Sequence, residues 1–208
     1  MPMQQLIAHA RSFESRCAQR SEHFRKLGAG QSPHALFITC SDSRVVPSLI
    51  TGASAGDLFE LRTAGNIVPE YSSERPGGET ATIEYAVRVL GVRHVIVCGH
   101  SHCGAVGALV RDDDLSDVPA VRSWLENAAP DQQRPTGTGG SDRAASVSPV
   151  LADAVQRHAL AQLERLRAYP CIRERTAAGE ISLDAWYYAV HTGAVLSHQP
   201  ESGSFQPL

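Results

Sequence analysis

The chain has 208 residues, 42% of them hydrophobic and 20% charged, with a formal net charge of -3. That length suits one sizeable domain, read as residues 1–208, and the near-neutral balance gives no electrostatic reason to expect nucleic acid or an anionic membrane as partner. No apolar run is long enough to cross a bilayer and "MPMQQLIAHARSFESR" lacks the basic start and apolar core of a leader, so the default expectation is a cytoplasmic protein.

From Leu6 the apolar positions Leu6, Phe13, Cys17, Phe24 and Leu27 recur at helical spacing until "GAGQSP" ends them, which predicts an amphipathic helical arm over residues 1–30. "HALFITC" is a short apolar run of strand formers that stops at Cys40 and gives way to the polar "SDSR", the pattern of a buried strand with Cys40 at its C-terminal end. "DLFELRTAG" reads as a second strand, "ETATIEYAVRVLG" as a helix closed by Gly91, and "RHVIVCGH" as a third strand entering a helix at "CGAVGALV". "VPAVRSWLENAAP" has the pattern of a short helix, whereas residues 131–146 are rich in Gly, Ser, Thr and Arg without an apolar period and predict a mobile loop. "VLADAVQRHALAQLERLRAYP" is helical up to Pro170, and "ISLDAWYYAVHTGAVLSHQ" reads as two strands joined by a turn at Thr192-Gly193. Strands alternating with helices predict an α/β fold: a mostly parallel sheet flanked by helices.

The five cysteines (Cys17, Cys40, Cys98, Cys103 and Cys171) are odd in number and scattered, which argues against disulfide stapling and leaves metal or packing roles. In open α/β sheets the loops at the C-terminal strand ends converge on a shared crevice. Cys40 and His100 both stand at such ends, which is the physical reason to pair "CSDSR" with "HSHC". A catalytic zinc takes three protein ligands and leaves the fourth position open, and Cys40, His100 and Cys103 supply such a set. Cys98 continues the apolar strand "VIVC" and reads as packing, while His102, adjacent to Cys103, is read as a non-ligand. Cys103 gains from its place at a helix N-terminus, which favours the thiolate. Asp42 and Arg44 flank one residue just beyond Cys40, close enough for a bidentate ion pair. Beside a metal the carboxylate either accepts a hydrogen bond from bound water or occupies the open position itself, and the arginine holds it away.

With these motifs in view, the sequence resembles the β-class carbonic anhydrases. The match rests on "CSDSRVVPS", "GDLFELRTAGN", "IEYAVRVLGVRHVIVCGHSHCGAV" and, more weakly, "AWYYAVHTGAV". The resemblance implies Zn2+ on Cys40, His100 and Cys103, with Asp42 as a fourth ligand only in a closed form and the Asp42-Arg44 dyad as catalytic residues. It implies reversible hydration of carbon dioxide to bicarbonate and a proton by attack of zinc-bound hydroxide. It further implies an antiparallel C-terminal extension of the sheet, a homodimer or higher homo-oligomer with the active site at the dimer interface, and an N-terminal helix packed on a partner subunit. Many members carry a glutamine shortly before the G-[DE]-x-F element, whereas "LITGASAGDLF" has none. The substrate-pocket candidates are therefore Ser54, Tyr85 and Gly104. In bicarbonate-inhibited members an arginine on the second strand works with aromatic partners. Arg62 and Tyr85 match, but Phe37 stands where tryptophan is expected, so the chain reads as the constitutively open form. Two other readings share the motifs: a carbon disulfide or carbonyl sulfide hydrolase on the same site, and a non-catalytic zinc- or bicarbonate-sensing module in which Asp42 permanently closes the site. The proton route stays open among His102, Tyr85 and buffer.

Overall fold

Strand-forming runs and helix stops set the order of elements in the computed structural model, which describes residues 1–126 and 149–208; the loop expected over 131–146 lies outside them. The chain divides into two units, Met1–Ser32 and Pro33–Leu208.

In the first unit the single helix expected from the sequence is three: α1 (Met3–Arg11), α2 (Phe13–Ala18) and α3 (Ser21–Gly28). The first break falls where the Ser12 hydroxyl and the Arg16 guanidinium both donate to the His9 carbonyl, offering the backbone a local alternative to the helical ladder. The second falls at Arg20, whose φ of -128° and ψ of 37° are not helical. Phe13 and Phe24 meet edge to face at 5.8 Å and join α2 to α3. None of the residues in these helices is buried.

The second unit carries β1 (Ala35–Cys40), α4 (Pro47–Thr51), β2 (Leu58–Thr63), α5 (Gly78–Glu84), β3 (His94–His100), α6 (Gly104–Arg111), α7 (Pro119–Glu126), α8 (Pro149–Arg167), α9 (Pro170–Ala177), β4 (Ser182–Tyr188), β5 (Val195–Gln199) and β6 (Ser204–Pro207). The strands form one sheet in the order β2-β1-β3-β4-β5-β6. The pairs β1/β2, β1/β3 and β3/β4 are parallel, and β4/β5 and β5/β6 antiparallel. This is the expected mostly parallel sheet with an antiparallel C-terminal extension, longer by one strand because β6 was not foreseen. Pro170, expected as a stop, opens α9 at its first position, where a missing N–H removes no helical bond. Helix α5 runs on into a π-helical turn over Tyr85–Val89 and ends at Gly91 with φ +67°.

Both faces of the central strands are covered, which is why β1 and β3 read as continuous apolar runs rather than alternating ones. Leu36, Ile38, Val95 and Val97 pack with Ile83, Leu163, Leu166 and Ile172 from the helices and with Tyr169 from the link between α8 and α9. Ala35, Phe37, Ile96 and Cys98 form a separate cluster, where Phe37 meets Trp186 edge to face at 5.9 Å.

Helix α8 lies so close to β3 that Gly99 has no room for a side chain: an added Cβ falls 2.7 Å from Val155 Cγ1 and 3.3 Å from the Val155 carbonyl oxygen. Gly99→Ala is therefore expected to lower stability by about 1–3 kcal/mol, the usual cost of overpacking. Chemical denaturation checks this, and an unchanged midpoint would show that α8 yields at no cost.

Candidate metal centre

Cys40 ends β1, His100 ends β3 and Cys103 caps the start of α6. In the parallel register Thr39 stands opposite Cys98, so the two strand ends finish side by side. His102, at φ +59°, turns the chain between His100 and Cys103; a left-handed conformation is uncommon for a histidine and marks a constrained turn. The ligand atoms of Cys40, His100 and Cys103 lie within 4.8 Å of one another and all three residues are buried.

The histidine is oriented as a ligand is. Its Nδ1 lies 3.0 Å from the Ser101 carbonyl oxygen, the outer contact that fixes a metal-binding tautomer and leaves Nε2 with a lone pair. His100 Nε2 is fully buried and has no hydrogen-bond partner. A buried, unsatisfied ring nitrogen aimed among two sulfurs is costly unless a cation receives it, and the donor set of two thiols and one imidazole fits zinc.

Between the two thiols, Cys40 ionises first. Its pKa is lowered chiefly by a hydrogen bond from the Cys103 thiol, with His100 and the backbone amides of Gly65 and Asp42 adding to this against the cost of burial; the Gly65 N–H lies 3.4 Å from Cys40 Sγ. Cys103 is correspondingly raised, by its bond to Cys40 and by burial, although the Ala105 and Val106 amides pull the other way. The helix N-terminus alone was expected to depress Cys103; the neighbouring thiolate outweighs it. A cation removes both protons.

Cys98 does not join the group. It lies in the cluster of Ala35, Phe37 and Ile96, whereas Cys40 and Cys103 pack with Val106 and Val155. Burial pushes its thiol up to about 12, so it stays protonated. His102 also stays outside the group. Its ring meets that of His191 edge to face at 5.7 Å.

Asp42 and Arg44 form the expected bidentate pair, with Arg44 Nε 2.9 Å from Oδ1 and Nη2 2.7 Å from Oδ2. The Arg44 backbone N–H adds a third bond at 2.9 Å, and Nη2 also donates to the His102 carbonyl at 3.1 Å. Arg44 thereby holds the Asp42 carboxyl well below the usual carboxylate range. Asp42 Oδ2 lies 3.9 Å from His100 Nε2, which puts the carboxylate beside the centre with both oxygens engaged by the arginine.

Of the pocket candidates, Gly104 adjoins Cys103 and faces open space, with no atom within 4 Å of where a Cβ would stand. Ser54 and Tyr85 do not reach the centre of their own chain. Strand β2 begins opposite Ala35 and ends opposite Cys40, and Ser54 precedes it, its N–H donating to Asp57 Oδ2 at 2.7 Å. Tyr85 stacks at 6.0 Å on Phe59, near the same end. The length of a strand, roughly 17–20 Å, separates them from the cluster.

Two further residues support the centre. Arg62 donates through Nη2 to the carbonyls of Cys40, Asp42 and Val45 at 3.0, 2.9 and 2.8 Å, fixing the loop that carries the first ligand and the dyad. In the sequence it stood out only through the family resemblance, where it was matched to bicarbonate inhibition instead. His158, fully buried on α8, hydrogen-bonds the Gly65 carbonyl through Nε2 at 2.8 Å, and burial lowers its pKa. A histidine on the apolar face of a helix gave no sequence signal that set it apart from core packing.

Comparison with known proteins places these features in a family. A family model described as carbonic anhydrase matches residues 35–195. A carbonic anhydrase of Pseudomonas aeruginosa is 44% identical over 177 residues, covering 85% of this chain and 78% of its own length. One of Synechococcus elongatus is 39% identical over 196 residues, covering 93% and 71%. The solved structure of the β-carbonic anhydrase CcaA superposes with a TM-score of 0.85 at 36% identity, covering 99% of both chains. A chain from the tetrameric β-carbonic anhydrases of the ascomycete Sordaria macrospora gives 0.74 at 27% identity, covering 93% and 94%. With the matched segment running from the start of β1 into β5 and taking in every member of the Cys-His-Cys centre, the chain belongs to the β-class carbonic anhydrase family.

Proposed function

We propose that the centre holds Zn2+ on Cys40, His100 and Cys103 and that the chain hydrates carbon dioxide reversibly to bicarbonate and a proton. The observation that carries this reading is the orphaned His100 Nε2, buried between two thiol sulfurs with an ionised carboxylate 3.9 Å away. Zinc held by these three residues would lower the pKa of a water ligand from about 15.7 to about 7 and so supply a nucleophile at neutral pH.

The protein's own groups do the rest. Asp42, ionised at neutral pH because Arg44 holds its proton affinity down, accepts a hydrogen bond from the nucleophile and orients it toward the substrate carbon. Arg44 keeps both carboxylate oxygens and so prevents Asp42 from closing on the cation, which is the open resting form. Arg62 holds the carbonyls of the loop in register. Gly104 leaves space for the small substrate beside Cys103.

Ser54 and Tyr85 serve the pocket of a neighbouring subunit in a homodimer or larger homo-oligomer. Exposed apolar side chains such as Leu49, 79% exposed, and Val89, 64% exposed, are available to such an assembly. The N-terminal unit, with no buried residue of its own, packs on the partner. No described helix is long and apolar enough to cross a membrane, and the proposed location is the cytoplasm.

Zinc quantification paired with stopped-flow carbon dioxide hydration across neutral pH tests the reading. One zinc per chain with turnover rising through neutrality is expected. Full zinc occupancy without turnover would sink it in favour of the closed, sensing module, and turnover of carbon disulfide or carbonyl sulfide alone would move the activity to the hydrolase.

A further inference from the structure

His102 is tied down on three sides without being a member of the metal centre. Its Nδ1 lies 3.0 Å from Ser101 Oγ, and that oxygen also accepts the Val190 N–H at 2.9 Å. Its carbonyl accepts Arg44 Nη2 at 3.1 Å, and its backbone sits at φ +59°. An imidazole that donates Nδ1–H to a hydroxyl presents Nε2 as a lone pair, the same outer-contact arrangement that prepares metal-binding histidines.

The ring that His102 meets is His191, in the turn between β4 and β5. That turn is fixed by the Ala189 N–H to the Ala194 carbonyl and by the Gly193 N–H to the Ala189 carbonyl, both 2.8 Å. The His191 side chain is exposed and His102 half-buried. The centroids are 5.7 Å apart with planes at 89°. With metal–nitrogen bonds of about 2.0–2.1 Å, two imidazoles sharing an ion at the tetrahedral angle have centroids roughly 5.2 Å apart. The observed centroid separation exceeds that value by about half an ångström, and rotation of the exposed His191 side chain would turn its ring nitrogen toward an ion shared with His102.

We propose that His102 and His191 form a second metal site, separate from the Cys-His-Cys centre, that takes a divalent transition-metal cation such as Zn2+ from solution and inhibits the enzyme. Imidazole nitrogen suits these cations, water completing the coordination. Inhibition follows from the connection already described: an ion drawing His102 toward His191 acts on the residue whose carbonyl anchors Arg44, and Arg44 positions Asp42. The inhibitory part rests on the hydration reading; the binding part does not.

The test uses the full chain with its Cys-His-Cys centre already loaded with zinc. Calorimetric titration with further Zn2+ is expected to show a second equivalent per chain, and the same concentration range is expected to inhibit carbon dioxide hydration. His191→Ala should keep wild-type basal activity while its second-site affinity and its sensitivity to excess zinc both fall by about tenfold or more, because the chelate becomes a lone imidazole. His198→Ala, on β5 with its ring against Phe205, should behave as wild type.

Equal binding by His191→Ala and wild type, the absence of a second equivalent, or a second equivalent bound without inhibition of an active enzyme would each overturn the proposal. If the zinc-loaded wild type does not hydrate carbon dioxide at all, the hydration reading has failed, and the calorimetric comparison still decides whether the site exists.

Discussion

Alanine at His100 is expected to remove the zinc and reduce carbon dioxide hydration by at least about a thousandfold, since the drop in water pKa that makes a neutral-pH nucleophile depends on the ion. The ring is fully buried and supplies the only imidazole of the cluster, so its loss leaves two thiols whose protons a cation must displace unaided. A second effect runs in parallel: deleting the ring opens a void beside Cys40, costing about 2–4 kcal/mol of stability. Metal loss and misfolding are separated by the companion substitution Cys98→Ala, two residues earlier on β3. Cys98 is as buried as His100 but outside the cluster, so its alanine variant is expected to lose about 1 kcal/mol of stability and to keep both zinc and turnover. Metal analysis, circular dichroism and stopped-flow hydration of the two proteins decide the matter. Retained zinc in His100→Ala together with lost zinc in Cys98→Ala would exchange their roles.

Arg44→Ala is expected to keep its zinc and lose about a hundredfold or more in kcat/KM, a typical size for removing a group that positions a catalytic partner. The arginine makes two side-chain bonds to the carboxylate and anchors itself on the His102 carbonyl. Without it Asp42 is free to move toward the cation position near His100 Nε2. Cobalt-substituted protein reads this directly: the wild-type spectrum should change through neutral pH, whereas that of Arg44→Ala should not.

The stability consequence has a definite sign. Arg44 lowers the folded-state pKa of Asp42, so the pair stabilises the fold above the ordinary carboxylate pKa and loses that contribution as the pH falls through the folded-state value. Wild type and Arg44→Ala therefore differ most in stability at neutral pH and converge in strong acid. Since the Arg44 side chain is 47% exposed, the difference is expected below about 1 kcal/mol, and the variant's deficit is one of activity rather than folding.

Much of this site was legible before the fold was. Cys40 and His100 each follow a run of apolar strand formers, and a strand's end in an α/β sheet is a positional statement, so two distant motifs were brought together by physical reasoning alone. Asp42 and Arg44 were readable because a two-residue spacing in a turn sets their geometry locally. What escaped was set by tertiary context. Arg62 makes its three carbonyl contacts across two strands, and nothing in its neighbours' sequence says which loop lies above it. The helix after Pro170 was missed because proline both stops one helix and starts the next. The short β6 has only four residues, too few for a period. The N-terminal stripe gave the helical type correctly and its continuity wrongly, because Ser12 and Arg20 act through local bonds and dihedrals that an apolar period does not register.

The placement of the two strand-end members of the proposed centre also bears on the order in which the protein is assembled. Cys40 and His100 are sixty positions apart in the chain, on strands that are neighbours in a parallel pair. Bringing such distant segments together costs roughly 3–4 kcal/mol in loop closure, and parallel pairing with its crossovers is slow to nucleate. Until that closure, His100 and Cys103 are two of the three donors, with no cage around them. Sheet formation is therefore expected to precede metal capture, with the proposed ion acting as a latch on β1 and β3 rather than as a template for them. An ion that binds the native state alone would then pull the folding equilibrium toward it by mass action.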